Sequence, residues 1–178
     1  MFRGKKRKGR ENPLVPVYQL QGKVSHDQGA EFENIIQMAC DRYREQGIAD
    51  IEKTPEPTQV IQNNGKGKFT VFFKKKAQPD FQGTLNGGKS ICFEAKHTKN
   101  DRIKKDALTA EQSEVLERKS KMGAECFVLV SFGFQSYYKF PWSVWANMKE
   151  LYGHQYITPE EGAPYKLKNS GGYRIEFL

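Results

Sequence analysis

Asp80, Glu94 and Lys96 are the residues whose types and spacing could do chemistry together. Glu94 and Lys96 are two positions apart, so on a β-strand both side chains leave the same face. Asp80 precedes a short segment that a glycine turn, Asn86-Gly87-Gly88, folds back beside the strand carrying the other two. Two carboxylates and an ammonium at one point can hold Mg²⁺ and place a water against a phosphodiester. The pattern therefore predicts a metal-dependent hydrolytic centre.

The chemistry assigns a role to each of these residues. Mg²⁺ prefers carboxylate, carbonyl and water oxygens, so Asp80 and Glu94 are its predicted ligands, with the Ala95 carbonyl close by. Lys96 is predicted to orient or help deprotonate the attacking water and to stabilise charge in the transition state. The alternative is that Glu94 and Lys96 form a surface ion pair on a solvated strand face, because Phe93 and Ala95 alternate with them as in any half-buried strand.

The elements that must position these residues follow from periodicity and turn signals. Ser25 is a plausible N-cap for a helix over about 27–46, and Thr109 begins a second helix that ends at Met122. Residues 100–107 read as a charged loop. A shorter helix is predicted at 142–152, and the predicted strands are 49–53, 57–62, 68–73, one opening at 80, 90–96, 125–132, 137–140 and 173–177. The order predicts an α/β fold with a mixed β-sheet flanked by helices, not a doubly wound one, because the central pieces are hairpins.

Composition bounds the class of protein and its partner. The chain of 178 residues has a net charge of +8, a mean hydropathy of −0.76 and a pI near 9.3. The positive charge indicates an acidic partner, either nucleic acid or an anionic membrane surface. No apolar run approaches the roughly 20 residues that a membrane span needs. Cys40, Cys92 and Cys126 are widely spaced and odd in number, which favours buried small hydrophobic residues in a reducing cytoplasm over disulfides or a zinc site.

The chain divides into a basic arm and one domain. Residues 1–24 are expected to be a flexible arm, since residues 1–10 carry six basic side chains and Pro13 and Pro16 follow. Such an arm could track DNA or simply be a solubilising tail. Residues 25–178 are expected to form a single domain, a size that can bury a core.

Several segments together resemble the RecU-type Holliday junction resolvases of the PD-(D/E)XK nuclease superfamily. Phe93-Glu94-Ala95-Lys96, with Thr98-Lys99-Asn100 after it, resembles that family's central motif. Gly29-x-x-Phe32-Glu33 is similar to its first-helix signature, and Lys53-Thr54-Pro55-Glu56-Pro57 to its Lys-x-Pro-x-Pro segment. Asp80-Phe81-Gln82-Gly83 matches an Asp-aromatic-x-Gly element, and Gln112 stands where the family has a glutamine in the following helix.

The resemblance implies a restriction-endonuclease-like core in residues 25–178 and a cytoplasmic enzyme of a bacterial or phage-infected cell. It implies a homodimer that nicks four-way DNA junctions in recombination and repair, with Mg²⁺ or Mn²⁺. Asp80, Glu94 and Gln112 would be metal ligands, Lys96 the transition-state stabiliser, and Glu33 would lie near the site. The family's metal-contacting threonine is replaced by Gln78, whose amide oxygen could substitute. Gln112 has a second interpretation, because Thr109-x-x-Gln112 is itself a capping box.

DNA contacts are predicted at basic residues on both sides of this motif. Lys66, Lys68, Lys74, Lys75 and Lys76 surround three phenylalanines in a segment that resembles a short form of the family's β-hairpin stalk. Lysines attract phosphates without reading sequence, and aromatic rings can stack on unpaired bases. The phenylalanines could equally be a core face. Lys53, Lys99 and Arg102 are the other predicted DNA contacts, whereas Trp142 and Trp145 are predicted to be core.

Two rival functions remain open on the sequence. One is another enzyme on the same core, such as a restriction-like or repair endonuclease with a different substrate. The other is a non-catalytic basic protein that binds or bridges DNA. Cleavage of a four-way junction compared with linear duplex separates the first rival, and an Asp80→Asn variant separates the second.

Overall fold

The computed structural model describes residues 17–55, 58–63, 69–73, 78–168 and 174–178, and the side chains of residues 17–26, 58–63 and 69–73 are outside the description. The helices and strands in chain order are α1 (Val17–Glu45), β1 (Ala49–Lys53), β2 (Thr58–Asn63), β3 (Phe69–Phe73), β4 (Phe81–Leu85), β5 (Ser90–Thr98), β6 (Ile103–Lys104), α2 (Ala110–Lys121), β7 (Glu125–Phe132), β8 (Ser136–Pro141), α3 (Trp142–Ala146), α4 (Met148–Tyr152) and β9 (Tyr156–Ile157). Two 3₁₀ turns lie at Lys105–Ala107 and Ala163–Tyr165.

The main sheet is mixed, as predicted. Its strand order is β1-β4-β5-β7-β8, and β5–β7 is its parallel pair. The other neighbours run antiparallel. A parallel pair needs a crossover, and α2 supplies it between β5 and β7. Strands β2 and β3 pair with each other in a separate antiparallel sheet, which confirms the predicted hairpin pairing, and β6 pairs with β9.

Two hydrophobic cores lie on opposite faces of this sheet. One packs α1 through Phe32, Ile36 and Cys40 against β5 residues such as Phe93. The other packs Leu116 of α2 against the opposite face of the sheet. Its buried members include Cys92, Cys126, Val128, Val130, Phe140, Trp142 and Trp145. The predictions that the tryptophans and the three cysteines are core residues are confirmed; all three thiols are free, and the sulfurs of Cys92 and Cys126 lie 3.3 Å apart.

Gly83 explains one element of the sequence motif. It lies on β4 in register with Ile51 of β1. A Cβ at this position would meet the Asp50 carbonyl oxygen at 2.0 Å and the Ile51 Cα at 2.6 Å. Only glycine allows the two strands to approach this closely.

Residues 174–178 are held by side chains of α1 and β8 and by a β-bridge at Ile175. The Tyr43 hydroxyl accepts hydrogen bonds from the backbone N–H groups of Phe177 and Leu178. Arg42 donates to the Ile175 carbonyl at 3.0 Å, and Lys139 donates to the Phe177 carbonyl at 2.9 Å. Of the strand predicted over 173–177, the described residues keep only a β-bridge at Ile175, and residue 173 lies outside the description.

Three other element boundaries differ from prediction. Helix α1 begins at Val17, directly after Pro16, instead of near residue 27, and no proline interrupts the chain between residues 17 and 45. The predicted helix over 142–152 is two short helices that meet at Asn147. The charged loop over 100–107 contains β6 and a 3₁₀ turn. No helix among the described residues is long and apolar enough to cross a membrane.

Candidate active site

The structure brings Asp80, Glu94 and Lys96 together at the open end of the β4–β5 hairpin. The Phe81↔Phe93 register sets the strands so that Asp80 reaches across to β5. An oxygen of the Asp80 carboxylate accepts a hydrogen bond from the Ala95 backbone N–H at 2.9 Å. The Lys96 ammonium lies 3.2 Å from Glu94 Oε2 and 3.8 Å from Asp80 Oδ2. The convergence predicted from spacing is thus present, and the three side chains are called the carboxylate cluster below.

Burial separates this cluster from an ordinary surface ion pair. Glu94 is 0% exposed, whereas the side chains of Asp80 and Lys96 are 24% and 21% exposed. Burial, and next the Asp80 charge, raise the pKa of Glu94 to about 8, against the opposing effect of Lys96. Burying a carboxylate is costly unless a partner offsets the loss of water. A cation bound beside Glu94 would therefore stabilise its ionised carboxylate.

The two oxygens of Glu94 differ in their hydrogen-bond partners. Oε2 accepts from Lys96 and from Gln112, whereas Oε1 is buried and has no hydrogen-bond partner among the described residues. Such orphaned buried acceptors are rare in proteins and call for an explanation. A hard divalent cation beside Asp80 would satisfy it.

The donor set fits Mg²⁺ or Mn²⁺ better than zinc. The described residues contain no group of three or more His, Cys, Asp or Glu side chains arranged to hold a metal. A structural zinc site needs about four such ligands. Mg²⁺ commonly binds through one or two carboxylates and keeps several waters, which is what Asp80 and Glu94 offer.

Gln112 contacts the carboxylate cluster and caps α2 at the same time. Its side-chain Nε2 donates to Glu94 Oε2 at 2.5 Å, while its Oε1 accepts from the Thr109 backbone N–H at 3.1 Å. The Thr109 hydroxyl accepts from the Gln112 backbone N–H, which completes the capping box. The capping interpretation is confirmed. The role of Gln112 as a metal ligand stays a prediction, because its carbonyl oxygen is engaged at the cap in this arrangement.

Glu33 and Lys53 form an ion pair between α1 and β1. Lys53 Nζ lies 2.6 Å from Glu33 Oε2, joining α1 to β1. The residue after Lys53, Thr54, donates its backbone N–H to the Asp80 carbonyl at 2.8 Å. Gln78 is exposed and is separated from Asp80 by the buried Pro79. The catalytic role of Glu33, the metal role of Gln78 and the DNA role of Lys53 stay predictions.

The predicted DNA contacts divide by position. Lys99 and Arg102 are exposed beyond the end of β5. Arg102 lies over the ring of Tyr156, 4.9 Å from its centroid, a partner that no sequence signal indicated because Tyr156 belongs to a two-residue strand far along the chain. Lys66, Lys68, Lys74, Lys75 and Lys76 lie outside the described residues, so their roles stay predictions.

Comparison with known proteins shows which family this sequence matches. The family model described as RecU, Recombination protein U, matches residues 27–177. The proteins named Holliday junction resolvase RecU from Streptococcus pneumoniae strains Hungary19A-6 and CGSP14 are each 32% identical over 121 residues, 65% of this chain. The chain spans 61% of the length of these relatives. The solved Holliday junction resolvase Hjc of Archaeoglobus fulgidus is 19% identical with a TM-score of 0.46, covering 77% of this chain and 93% of Hjc.

Proposed function

Because this chain belongs to the RecU family, we propose that it is a divalent-metal-dependent, structure-selective DNA endonuclease that resolves four-way (Holliday) junctions by paired symmetric nicks. The observation that carries the proposal is the buried Glu94 carboxylate, which contacts Lys96 through Oε2 and whose Oε1 has no hydrogen-bond partner in the part of the chain that the structure describes. The match over residues 27–177 and the printed names of the relatives supply the substrate class. The net charge of +8 suits a polyanionic substrate.

In this proposal, Asp80 and Glu94 hold Mg²⁺ or Mn²⁺, which when bound activates water and offsets charge on the phosphorus. The Ala95 N–H fixes Asp80, and Gln112 fixes Glu94, so both carboxylates are oriented before substrate arrives. Lys96 donates to the attacking water or to a non-bridging phosphate oxygen. In-line attack would leave 5′-phosphate and 3′-hydroxyl ends.

Two nicks on opposed strands require two active sites. A two-fold symmetric homodimer would place one site on each of the strands, because both halves of a four-way junction are related by the same symmetry. We therefore propose that the chain acts as a homodimer on junction DNA.

The experiment that tests this function measures cleavage of a labelled synthetic four-way junction and of a linear duplex of the same sequence. Each substrate is incubated with Mg²⁺, and with EDTA as the metal-free control. Symmetric nicking of the junction alone, dependent on metal, is the expected result. Equal cleavage of the linear duplex would replace junction resolution with a restriction-like or repair activity.

Two variants separate catalysis from binding. Asp80→Asn and Lys96→Ala should each lower the cleavage rate by at least about a hundred-fold, since each removes a group at the reacting phosphate. Junction binding in a gel-shift assay should persist for both. A wild-type protein that binds junctions but never cleaves them with any divalent metal would instead be a DNA-binding protein.

A further inference from the structure

A cleft opens beside the carboxylate cluster, and apart from Lys96 and Arg102 its lining side chains have no role above. Its volume is about 450 Å³, within the range of roughly 300–1,000 Å³ typical of ligand sites. Its lining includes Lys96, Thr98, Asn100, Arg102, Lys104 and Asp106. Lys96 belongs to both the cleft and the carboxylate cluster. A group bound in the cleft would therefore lie directly next to the reacting phosphate.

The charged side chains that line the cleft are mostly basic. Lys96, Arg102 and Lys104 are basic, whereas Asp106 is the one acidic residue among the described residues that line the cleft. Lys104 lies on β6 in register with Tyr156 of β9, so the β6–β9 pair forms one wall. A phosphate is the anion that this cleft would attract from DNA.

Arg102 is held with its guanidinium plane fixed. Its Nε and Nη2 groups each donate to one oxygen of Asp101 at 3.0 Å, and its Cζ lies 4.9 Å from the centroid of the Tyr156 ring. The neighbouring Asp101 offsets much of its charge. The Arg102 side chain is 44% exposed. It therefore offers a ligand an oriented flat surface, and its charge is secondary because Asp101 offsets it.

The ring beneath Arg102 is itself braced. Tyr156 stacks on His154 with centroids 3.7 Å apart and an angle of 6° between the planes. His154 Nδ1 contacts the Tyr156 carbonyl and Nε2 contacts a Glu161 oxygen, both at 3.0 Å. Glu161 is itself held by Thr158, whose backbone N–H donates to Glu161 Oε2 at 3.0 Å. The ring beneath Arg102 is therefore fixed by a chain of local contacts.

We propose that this cleft binds one unpaired nucleotide of the DNA strand being cut, adjacent to the scissile phosphate, with its base stacked on the Arg102 guanidinium and its phosphate near Lys104. The inference rests on the proposed junction-cleaving function. A base inside a duplex has both faces covered by its neighbours, so only a base freed at a branch point can stack on a protein side chain. The cleft would thereby select branched DNA over linear duplex at the active site itself.

The test is an abasic scan. A series of four-way junctions, each with one nucleotide near the cleavage site replaced by an abasic residue, is titrated with the full chain in Ca²⁺, which supports binding without turnover. One abasic position should weaken wild-type binding by about ten-fold, the effect expected of a single lost stacking contact. Arg102→Lys keeps the positive charge but loses the planar guanidinium. The abasic residue at that position should therefore change the affinity of this variant by less than two-fold.

Two controls make the scan decisive. Arg174→Lys changes another exposed arginine, paired with Glu176 at 3.1 Å and next to Ile175, which packs in the core on the α1 side of the sheet. It should keep the wild-type position dependence. Tyr156→Leu, which removes the ring beneath Arg102, should lose it as Arg102→Lys does.

The outcomes of the cleavage and binding assays are separable. If the wild-type protein cuts junctions but binds every abasic substrate equally, or if Arg102→Lys keeps the position dependence, the cleft proposal is overturned and the proposed function stands. If the wild-type protein binds no junction, the proposed function fails. In that case the same abasic scan on a single-stranded oligonucleotide tests the cleft proposal. Affinity that does not depend on the abasic position would overturn it.

Discussion

Gln112 joins the start of α2 to the buried acid of the carboxylate cluster through a 2.5 Å hydrogen bond to Glu94 Oε2. The other end of the same amide completes the capping box with Thr109. One side chain therefore serves two purposes that can be separated by substitution. The orientation of Glu94 depends on where the helix begins.

Thr109→Ala and Gln112→Ala should separate these purposes. Thr109→Ala removes the hydroxyl that caps the helix and should lower the free energy of unfolding by about 1 kcal/mol, with cleavage nearly unchanged. Gln112→Ala should cause a similar loss of stability and also slow single-turnover cleavage, because Glu94 loses its amide partner. Urea unfolding and a quenched cleavage assay measure the two effects. Equal cleavage rates for both variants would show that the Gln112–Glu94 contact has no role in catalysis.

The stability of the metal-free protein should fall as pH rises. The pKa of Glu94 is about 8 in the folded state against 4.5 when exposed. Between those values the folded state holds a proton that the unfolded state has released, so raising the pH favours unfolding, and the effect is complete above about pH 8. The contribution of this residue should be roughly 2–5 kcal/mol.

Comparison with Glu94→Gln isolates that contribution. The glutamine cannot ionise, so the difference in unfolding free energy between wild type and variant should change over pH 5–9 in EDTA and not elsewhere. Parallel stability curves for the two proteins across this range would contradict the raised pKa.

Metal binding should release a proton at pH 7. Since Glu94 is mostly protonated there without metal, a divalent cation must displace that proton to bind the carboxylate. Titration calorimetry with Mn²⁺ in two buffers of different ionisation enthalpy should give nearly one proton per ion. Glu94→Gln should bind more weakly and release none, whereas Glu114→Gln, an exposed residue of α2, should behave as wild type. Binding without proton release in the wild type would place the ion elsewhere.

Gly83→Ala should destabilise the fold by roughly 2–4 kcal/mol. The added Cβ would overlap the Asp50 carbonyl oxygen and force β1 away from β4. Gly29→Ala is the matched control, because a Cβ at that position of α1 meets nothing within 4 Å. It should be neutral or stabilise by up to about 1 kcal/mol, since alanine is the better helix former. Thermal unfolding of both variants measures the contrast.

The carboxylate cluster could be predicted from sequence because its geometry is local. A two-residue period fixes Glu94 and Lys96 on one face, and the glycine turn, with Gly87 and Gly88 at positive φ, fixes the hairpin that brings Asp80 across. The mixed sheet followed from the same signals. These features depend on chain neighbours and on strand pairing, which periodicity reports.

Other features depend on packing that periodicity does not report. The Gln112 amide contacts Glu94 through Nε2 and Thr109 through Oε1. Residue type alone does not predict which end of the amide contacts which partner. Tyr156 reaches Arg102 only because β9 pairs with β6. Among residues 174–178 the predicted strand is reduced to a β-bridge at Ile175, and Tyr43, Arg42 and Lys139 bind the backbone groups around it.

That terminal segment has a consequence for the order of folding. Tyr43 and Arg42 are synthesised long before residues 175–178, so their polar groups stay solvated until the end of the segment arrives. The contacts between α1 and residues 175–178 would then form late in folding. Asp80, Glu94 and Gln112 lie much nearer to one another along the chain, and short loops close with the least loss of entropy. The carboxylate cluster can therefore form before residues 175–178 bind to α1.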